Sequence, residues 1–259
     1  MPSVKRAAVV TIDRDGVDGA LARLRAVAER MGVELVEGDD ADIAIVLGGD
    51  GTMLRGLARF LGTGVPVIGV NYGRVGFLTS MSADELEKGL ERVFAGEYHV
   101  NELSTLEASV NGTTKVAVND VVVAGGTPGR MIEIGYSIGG EDLGHQPCDG
   151  LISATPTGST AYNLSNGGPV LVWGLEAMAV TFVAPHSLHA RPLVVPRGPE
   201  LAVVNRTLDG SATVLVDGHV VDELAPGGEV TMRLREQHSM LATLPESTFF
   251  SRYRRVFSA

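Results

Sequence analysis

The sequence predicts an α/β domain with a mostly parallel sheet at the N-terminus, followed by a β-rich domain. Up to about residue 99, short apolar runs alternate with amphipathic helical patterns, as in parallel sheets covered on both faces. Beyond about residue 100, short β-branched runs recur between Gly, Asn and Asp turn signals, as in antiparallel β structure. The chain has 259 residues, 44% hydrophobic and 20% charged, which is enough for a globular protein of one large or two smaller domains.

Residues 6–12 read as the first strand. Residues 17–31 read as a helix, with Leu21, Leu24, Ala28 and Met31 on one face and Gly32 as its stop. Val33–Val36 and Ile43–Leu47 read as strands two and three. The turn Gly48-Gly49-Asp50-Gly51-Thr52 leads into a helix over Thr52–Phe60, and Val65–Val70 is the fourth strand. Residues 82–95 read as a helix opened by Ser82 with Glu85 three residues later, a capping-box pattern.

In the second half, Leu106–Val110 and Lys115–Val123 read as a hairpin around Asn111-Gly112. Met131–Ile138 with Gly139-Gly140 suggests another. Ala177–Val183, Leu201–Val204, Ala212–Val216 and Glu229–Leu234 are further strands, with one helix expected at 159–166. In the tail, 246–259, Phe249, Phe250, Tyr253, Val256 and Phe257 stand at helix-like spacing with Arg252, Arg254 and Arg255 between them. That tail is read as a docking element that packs back on the first domain, in preference to an RNA-binding segment. The expected domains are therefore 1–99, joined by 246–259, and 100–245.

A formal net charge of −10 argues against a nucleic-acid partner, which needs clustered Lys and Arg. The single cysteine, Cys148, allows no internal disulfide and fits a reducing compartment. No apolar run approaches the length of a membrane span, and no signal-peptide pattern opens the chain, so a cytoplasmic protein without membrane partners is expected. Lys5, Lys88 and Lys115 are the only lysines. No Gly-Lys pair and no G-x-G-x-x-G occur, so both common nucleotide fingerprints are absent.

Four clusters carry chemistry. In the 48–52 turn, glycines let backbone approach a ligand, and the following helix start favours anions. Asp50 would repel a phosphate there unless it binds Mg²⁺ or takes a proton from a nucleophile, and both are tasks of phosphoryl transfer. Asn71-Tyr72-Gly73-Arg74-Val75-Gly76-Phe77-Leu78-Thr79 reads as a second cleft wall or an ordinary loop. Asn119-Asp120 interrupts a β-branched run; the pair suits a sugar diol, or marks a β-bulge or edge strand. The stretch from Cys148 to Pro169 reads as strand, Thr/Ser/Gly turn and short helix, able to hold a phosphate or adenine, with Tyr162 offering a flat face for a base. His145 with Cys148, and His186 with His189, imitate paired zinc ligands, but nothing in their contexts ties the pairs together. Asp217-Gly218-His219 reads as a hairpin turn.

Together these clusters resemble the NAD kinase family, over about residues 40–225. The resemblance consists of Gly-Gly-Asp-Gly-Thr at 48–52, Asn-x-Gly-x-x-Gly-Phe-Leu at 71–78, and Asn119-Asp120. It continues with the Asp-Gly-Leu…Thr-Pro-Thr-Gly-Ser-Thr-Ala-Tyr block at 149–162, Pro185-His186-Ser187-Leu188 with Arg191-Pro192, and Asp217-Gly218. The first motif is shared with lipid kinases and phosphofructokinases; the 149–162 block is far more specific. The resemblance implies a phosphofructokinase/diacylglycerol-kinase-like first domain and transfer of a phosphoryl group from ATP or polyphosphate to the 2′-hydroxyl of NAD's adenosine ribose. It further implies Mg²⁺ or another divalent cation, held mainly by substrate phosphates, and a homo-oligomer, dimer or tetramer.

By the same resemblance Asp50 is the catalytic acceptor of the 2′-hydroxyl proton or holds that hydroxyl through Mg²⁺, Gly51 and neighbouring amides line the phosphate site, and Gly49, Thr52 and Phe77 are further substrate-binding residues. Asn119 and Asp120 hold a ribose, and Asp149, Thr160, Ala161, Tyr162, Asn163, Leu164 and Ser165 contact NAD. Arg55, Arg130, Ala184 and His219 stand where the family often has further contacts. Asp120 replaces the family's usual Glu, His219 its common Gln, and Pro147 an often basic residue. Two alternatives share fewer of these motifs: a lipid kinase of the diacylglycerol or sphingoid-base type, and a non-catalytic NAD-sensing module.

Overall fold

The computed structural model describes residues 3–11, 17–72, 76–127 and 129–257, apart from the side chain of Val17. Ile12 of the expected first strand, Gly73, Arg74 and Val75 of the 71–79 cluster, and Ser258 and Ala259 of the tail lie outside the described residues. Two units form: Met1–Glu102 with His238–Ala259, and Leu103–Gln237.

The elements begin with β1 (Arg6–Thr11), α1 (Val17–Met31), β2 (Glu34–Val36), β3 (Ile43–Leu47), α2 (Asp50–Arg59) and β4 (Val67–Asn71). Next come β5 (Met81–Ser82), α3 (Leu86–Phe94), β6 (His99–Leu103), β7 (Leu106–Val110), β8 (Thr113–Ala117) and β9 (Asp120–Gly125). β10 (Ile132–Ile138), β11 (Glu141–Cys148), β12 (Gly150–Ala154), the one-turn helix α4 (Tyr162–Ser165), β13 (Ala177–Val183) and β14 (Leu193–Pro196) follow. The chain closes with β15 (Leu201–Asn205), β16 (Ala212–Val216), β17 (His219–Leu224), β18 (Glu229–Leu234), β19 (Ser239–Thr243) and α5 (Phe249–Phe257).

In the first unit one sheet runs β2-β1-β3-β4-β19-β6, with β5 beside β4. The pairs of β1 with β2 and β3, and of β4 with β3, β5 and β19, are parallel. Every residue of β3 is buried, as an unbroken apolar strand requires when both faces are covered. Leu24 and Val27 of α1 and Leu86, Leu90, Val93 and Phe94 of α3 share a core with Ile43, Ile45, Ile68 and Val70. α2 comes close to β3 and β4 at Gly56, where a Cβ would lie 2.8 Å from Val46 Cγ2 and 3.1 Å from Val67 Cγ1.

The second unit contains two six-stranded sheets, β11-β10-β15-β18-β7-β8 and β14-β13-β12-β9-β16-β17. One core joins them: Leu106, Val121, Val123, Ile134, Val180, Val203, Val214 and Val230 belong to the same buried cluster. Val122, Ile152, Ala154 and Ala179 pack elsewhere, with Leu171. So β9, β12 and β13 are covered on both faces, and the segment leading to Leu171 lies over the second face.

Four expectations shift. The run 115–123 is two strands, not one: β8 pairs with β7 in one sheet, while β9 pairs with β12 and β16 in the other. Asn119-Asp120 therefore marks the change of sheet, and β9 is internal, not an edge. The helix expected from Thr52 starts at Asp50, because Gly49 is its N-cap and its carbonyl accepts both Thr52 N–H and Met53 N–H at 3.0 Å. The helix expected at 82–95 opens as a 3-10 turn, Ala83–Glu85, with the Ser82–Glu85 capping box formed. The helix expected at 159–166 is broken at Ala161 into a 3-10 turn, Gly158–Thr160, and α4.

Candidate functional site

The first unit supplies a held carboxylate. β3 is followed by Gly48, where a Cβ would lie 2.7 Å from Thr52 Cβ. Only glycine lets the chain turn so tightly into α2. Asp50 then falls in the first helical turn, where the helix dipole favours a negative charge. Its Oδ2 accepts Phe77 N–H at 2.6 Å and its Oδ1 accepts Leu78 N–H at 3.1 Å. Gly76 leaves room for this: a Cβ there would lie 2.6 Å from Asp50 Oδ2 and closer still to Oδ1. The 71–79 cluster thus orients the carboxylate through backbone amides, and each oxygen keeps accepting capacity. Gly49 is half-buried, Gly51 and Arg55 are exposed, and Thr52 is buried. The Phe77 ring packs with those of Phe249, at 5.3 Å, and Phe257, at 6.1 Å, both on α5.

The second unit supplies a polar corner at the start of β9. The Asp217 carboxylate accepts three backbone N–H groups, from Val118 at 2.8 Å, Asn119 at 2.7 Å and Asp120 at 3.2 Å. Asp217 N–H returns a bond to Asp120 O at 3.0 Å. This is possible because Asp217-Gly218 turns with φ of 46° and 79°, the backbone of a tight hairpin in which both central residues are left-handed. Burial, and next the Asp217 charge, push the Asp120 carboxyl up to about 7. Burial also raises the Asp217 carboxyl, against the downward pull of its three amide donors.

Thr155 locks the following turn to this corner. Its N–H donates to Asn119 O at 2.8 Å, and its hydroxyl donates to Val118 O at 2.6 Å. Gly158 packs so closely that a Cβ would lie 2.8 Å from Asn119 Cα. Two polar atoms here are buried without a hydrogen-bond partner: Asn119 Oδ1 and Thr157 Oγ1. Buried polar groups are rarely left unpaired.

Asn163 is wholly buried, and its amide donates to Ser159 O and Pro169 O, each at 3.0 Å. Its Oδ1 accepts the Thr181 hydroxyl at 2.7 Å. Asn163 therefore ties α4 to β13 and leaves the neighbouring Tyr162 ring 46% exposed. Thr160, Ala161 and Leu164 are half-buried and Ser165 is exposed. Exposed Asp149 and Ala184 meet where Asp149 N–H donates to Val183 O at 2.9 Å; Ala184 is left-handed, with φ 43°. His219 is exposed beside the Asp217-Gly218 turn. Arg130 lines a different cavity, with Met131, Glu133, Asp209 and Ser211.

His145 is exposed and 3.3 Å from Glu133, while Cys148 is buried. Among the described residues, no group of three or more His, Cys, Asp or Glu side chains could hold a metal ion. No described helix is long and apolar enough to cross a membrane.

Sequence reasoning did not single out Gly76, Leu78, Asp217, Thr155, Thr157 or Arg252 for a role. Asp217-Gly218 carried the signal of a turn and formed part of the family resemblance; the side chain's grip on 118–120 depends on tertiary placement.

Residues 6–98 match the model of the ATP-NAD kinase N-terminal domain, and residues 118–243 that of the ATP-NAD kinase C-terminal domain. The NAD kinase of Gemmatimonas aurantiaca is 40% identical over 231 residues, covering 86% of this chain and 79% of that protein. The NAD kinase of Heliobacterium modesticaldum is 40% identical over 214 residues, covering 81% and 76%. The crystal structure of an NAD kinase from Archaeoglobus fulgidus in complex with ATP superposes with a TM-score of 0.82 at 30% identity, covering 98% of this chain and 97% of that one. Yeast NADH kinase complexed with NADH shares the fold, with a TM-score of 0.85 at 20% identity, covering 100% and 89%.

Proposed function

This chain belongs to the ATP-NAD kinase family, and from that premise we propose that Asp50 is the group that accepts the nucleophile's proton as a phosphoryl group passes to NAD. The observation that supports this reading is the carboxylate at a helix start, held by the Phe77 and Leu78 amides. An alcohol is far too weak an acid to ionise before attack at neutral pH. Asp50 orients the acceptor hydroxyl and takes its proton late, as bond formation to phosphorus acidifies it. The acceptor is the 2′-hydroxyl of the adenosine ribose, and the product is NADP.

Asn119 and Asp120 hold a ribose, fixed by the Asp217 carboxylate and the Thr155 hydroxyl. The unpartnered Asn119 Oδ1 and Thr157 Oγ1 supply polar contacts, and the exposed Tyr162 ring offers a face to a base. Asp149, Ser165, Ala184 and His219 are further exposed members of the NAD-contact set. Arg55 and the exposed amide of Gly51 serve the phosphates, with Gly49 and Thr52 shaping that turn.

The donor is ATP, with polyphosphate as a further candidate. A divalent cation, held mainly by the substrate phosphates, spreads the charge of the transferring phosphoryl group. The first unit is of the phosphofructokinase/diacylglycerol-kinase type, the tail 246–259 belongs functionally with residues 1–99, and the protein works as a cytoplasmic homo-oligomer, dimer or tetramer. A lipid kinase sharing only the 48–52 motif is not favoured, because the family match extends over residues 118–243. Purified protein incubated with NAD and Mg²⁺ and a panel of ATP, other triphosphates and polyphosphate tests the reading. NADP must form with ATP; binding of NAD with no NADP from any donor would refute it.

A further inference from the structure

We propose that Arg252, on the C-terminal helix α5, is a positioning residue that sets the geometry of Asp50 through the peptide group between Phe77 and Leu78. The inference rests on the reading of Asp50 as proton acceptor.

Arg252 is 1% exposed. Its Nη1 donates to Phe77 O at 2.6 Å and to Thr79 O at 2.8 Å. Its Nη2 donates to Ser80 Oγ at 2.8 Å, and its Nε to Ser247 O at 3.3 Å. Phe77 C=O and Leu78 N–H are the two ends of one peptide group. The guanidinium holds the oxygen end, and Asp50 Oδ1 takes the hydrogen end at 3.1 Å. The cation polarises that peptide towards the carboxylate, so each bond strengthens the other. The preceding amide, Phe77 N–H, holds Asp50 Oδ2. Arg252 and Asp50 therefore grip opposite sides of the same short stretch of backbone.

Burying a charge is costly unless fixed acceptors surround it. Burial, and next Arg255, bring the Arg252 guanidinium down to about 10, while Asp50 acts in the opposite direction. The side chain remains a cation at neutral pH. Its planar fork reaches two carbonyls and a hydroxyl at once, which an ammonium cannot copy at the same spacing. The Ser80 hydroxyl passes the restraint on by donating to Ala242 O at 3.4 Å. Phe77 stacks against Phe249 and Phe257, on the first and last residues of α5. Helix docking and the Arg252 grip therefore fix one loop.

The test uses the full chain and the variants Arg252→Lys, Arg252→Met, Ser80→Ala, Asp50→Asn and Asp50→Asn/Arg252→Met. It reads kcat, KM for NAD and thermal melting. Misplacing a reacting group by about 1 Å can cost about 10²-fold. Arg252→Met is expected to lower kcat by about that factor and Arg252→Lys by about 10-fold, with KM for NAD within about 3-fold. The double variant is no more than about 2-fold slower than Asp50→Asn, as groups acting as a unit are non-additive. If Arg252→Met does not fold, Arg252→Lys and Ser80→Ala decide by the same split between kcat and KM. A folded Arg252 variant with the native kcat, beside an inactive Asp50→Asn, overturns this proposal alone, as does a multiplicative double variant. Native turnover by Asp50→Asn overturns the Asp50 reading instead.

Discussion

Replacing Gly76 by alanine tests the Asp50 geometry without touching a polar group. The added Cβ would lie 2.6 Å from Asp50 Oδ2 and closer to Oδ1, whereas ordinary contact begins at 3.4 Å. The carboxylate or the loop must therefore recede by roughly 1 Å, since packed interiors do not absorb such an overlap. Receding in either direction lengthens the bonds from Phe77 N–H and Leu78 N–H, now 2.6 and 3.1 Å. A displacement of about 1 Å at a reacting group can cost about 10²-fold in rate. Overpacking itself costs about 1–3 kcal/mol, so the variant should still fold, with a lowered melting temperature. The assay follows NADP formation at saturating ATP and NAD, beside NAD binding by calorimetry. A kcat loss of about 10²-fold with NAD binding kept within about 3-fold is expected. A folded Gly76→Ala protein with native kcat would refute the claim that this contact positions the reacting group.

Asp120 makes the nucleotide-free protein's stability depend on pH. Its folded-state carboxyl is raised to about 7 from the ordinary 3.8 by burial and then by Asp217. The folded state therefore favours the protonated form, and the associated stability is present below about pH 4 and lost as pH rises through about 7. Asp120→Asn should thus be more stable than the parent at pH 8, by at most about 4 kcal/mol, with the difference vanishing near pH 4. Denaturant titrations at both pH values measure it, and equal stability at pH 8 would contradict the burial argument. Asp217→Asn keeps the size but replaces one accepting oxygen by a donor facing backbone N–H groups. Loss of about 1–3 kcal/mol and a KM for NAD raised about 10-fold are expected. Unchanged melting and KM would show that the 118–120 backbone holds itself.

The two-part architecture was legible because periodicity reports burial directly. β3 is fully buried and reads as an unbroken apolar run, and both Asn111-Gly112 and Asp217-Gly218 turn with left-handed φ values. Boundaries were less legible where side chains and backbone compete. A β-branched run from Lys115 to Val123 looks like one strand, yet two sheets share it, and the polar pair in its middle is the only local sign of the corner. The helix after Gly49 begins earlier than its apolar residues do, because Gly49 O caps it.

In the site, Asp50 and Asn119-Asp120 stood out as polar groups that break an apolar pattern. Arg252 did not, since its neighbours 254 and 255 look the same in sequence but are exposed. Its partners Phe77, Thr79 and Ser80 lie more than 170 residues away in the chain. Asn163 had the opposite fate: within a run expected to touch NAD, its amide is taken up internally by Ser159, Pro169 and Thr181.

The central claim is that Asp50 accepts the proton of the attacking hydroxyl. Asp50→Asn preserves size and one amide acceptor while removing the base. Measured side by side, NAD affinity should stay within about 3-fold and kcat for NADP formation should fall by about 10²-fold or more. A purified, folded Asp50→Asn protein that forms NADP at close to the parent rate would contradict the account.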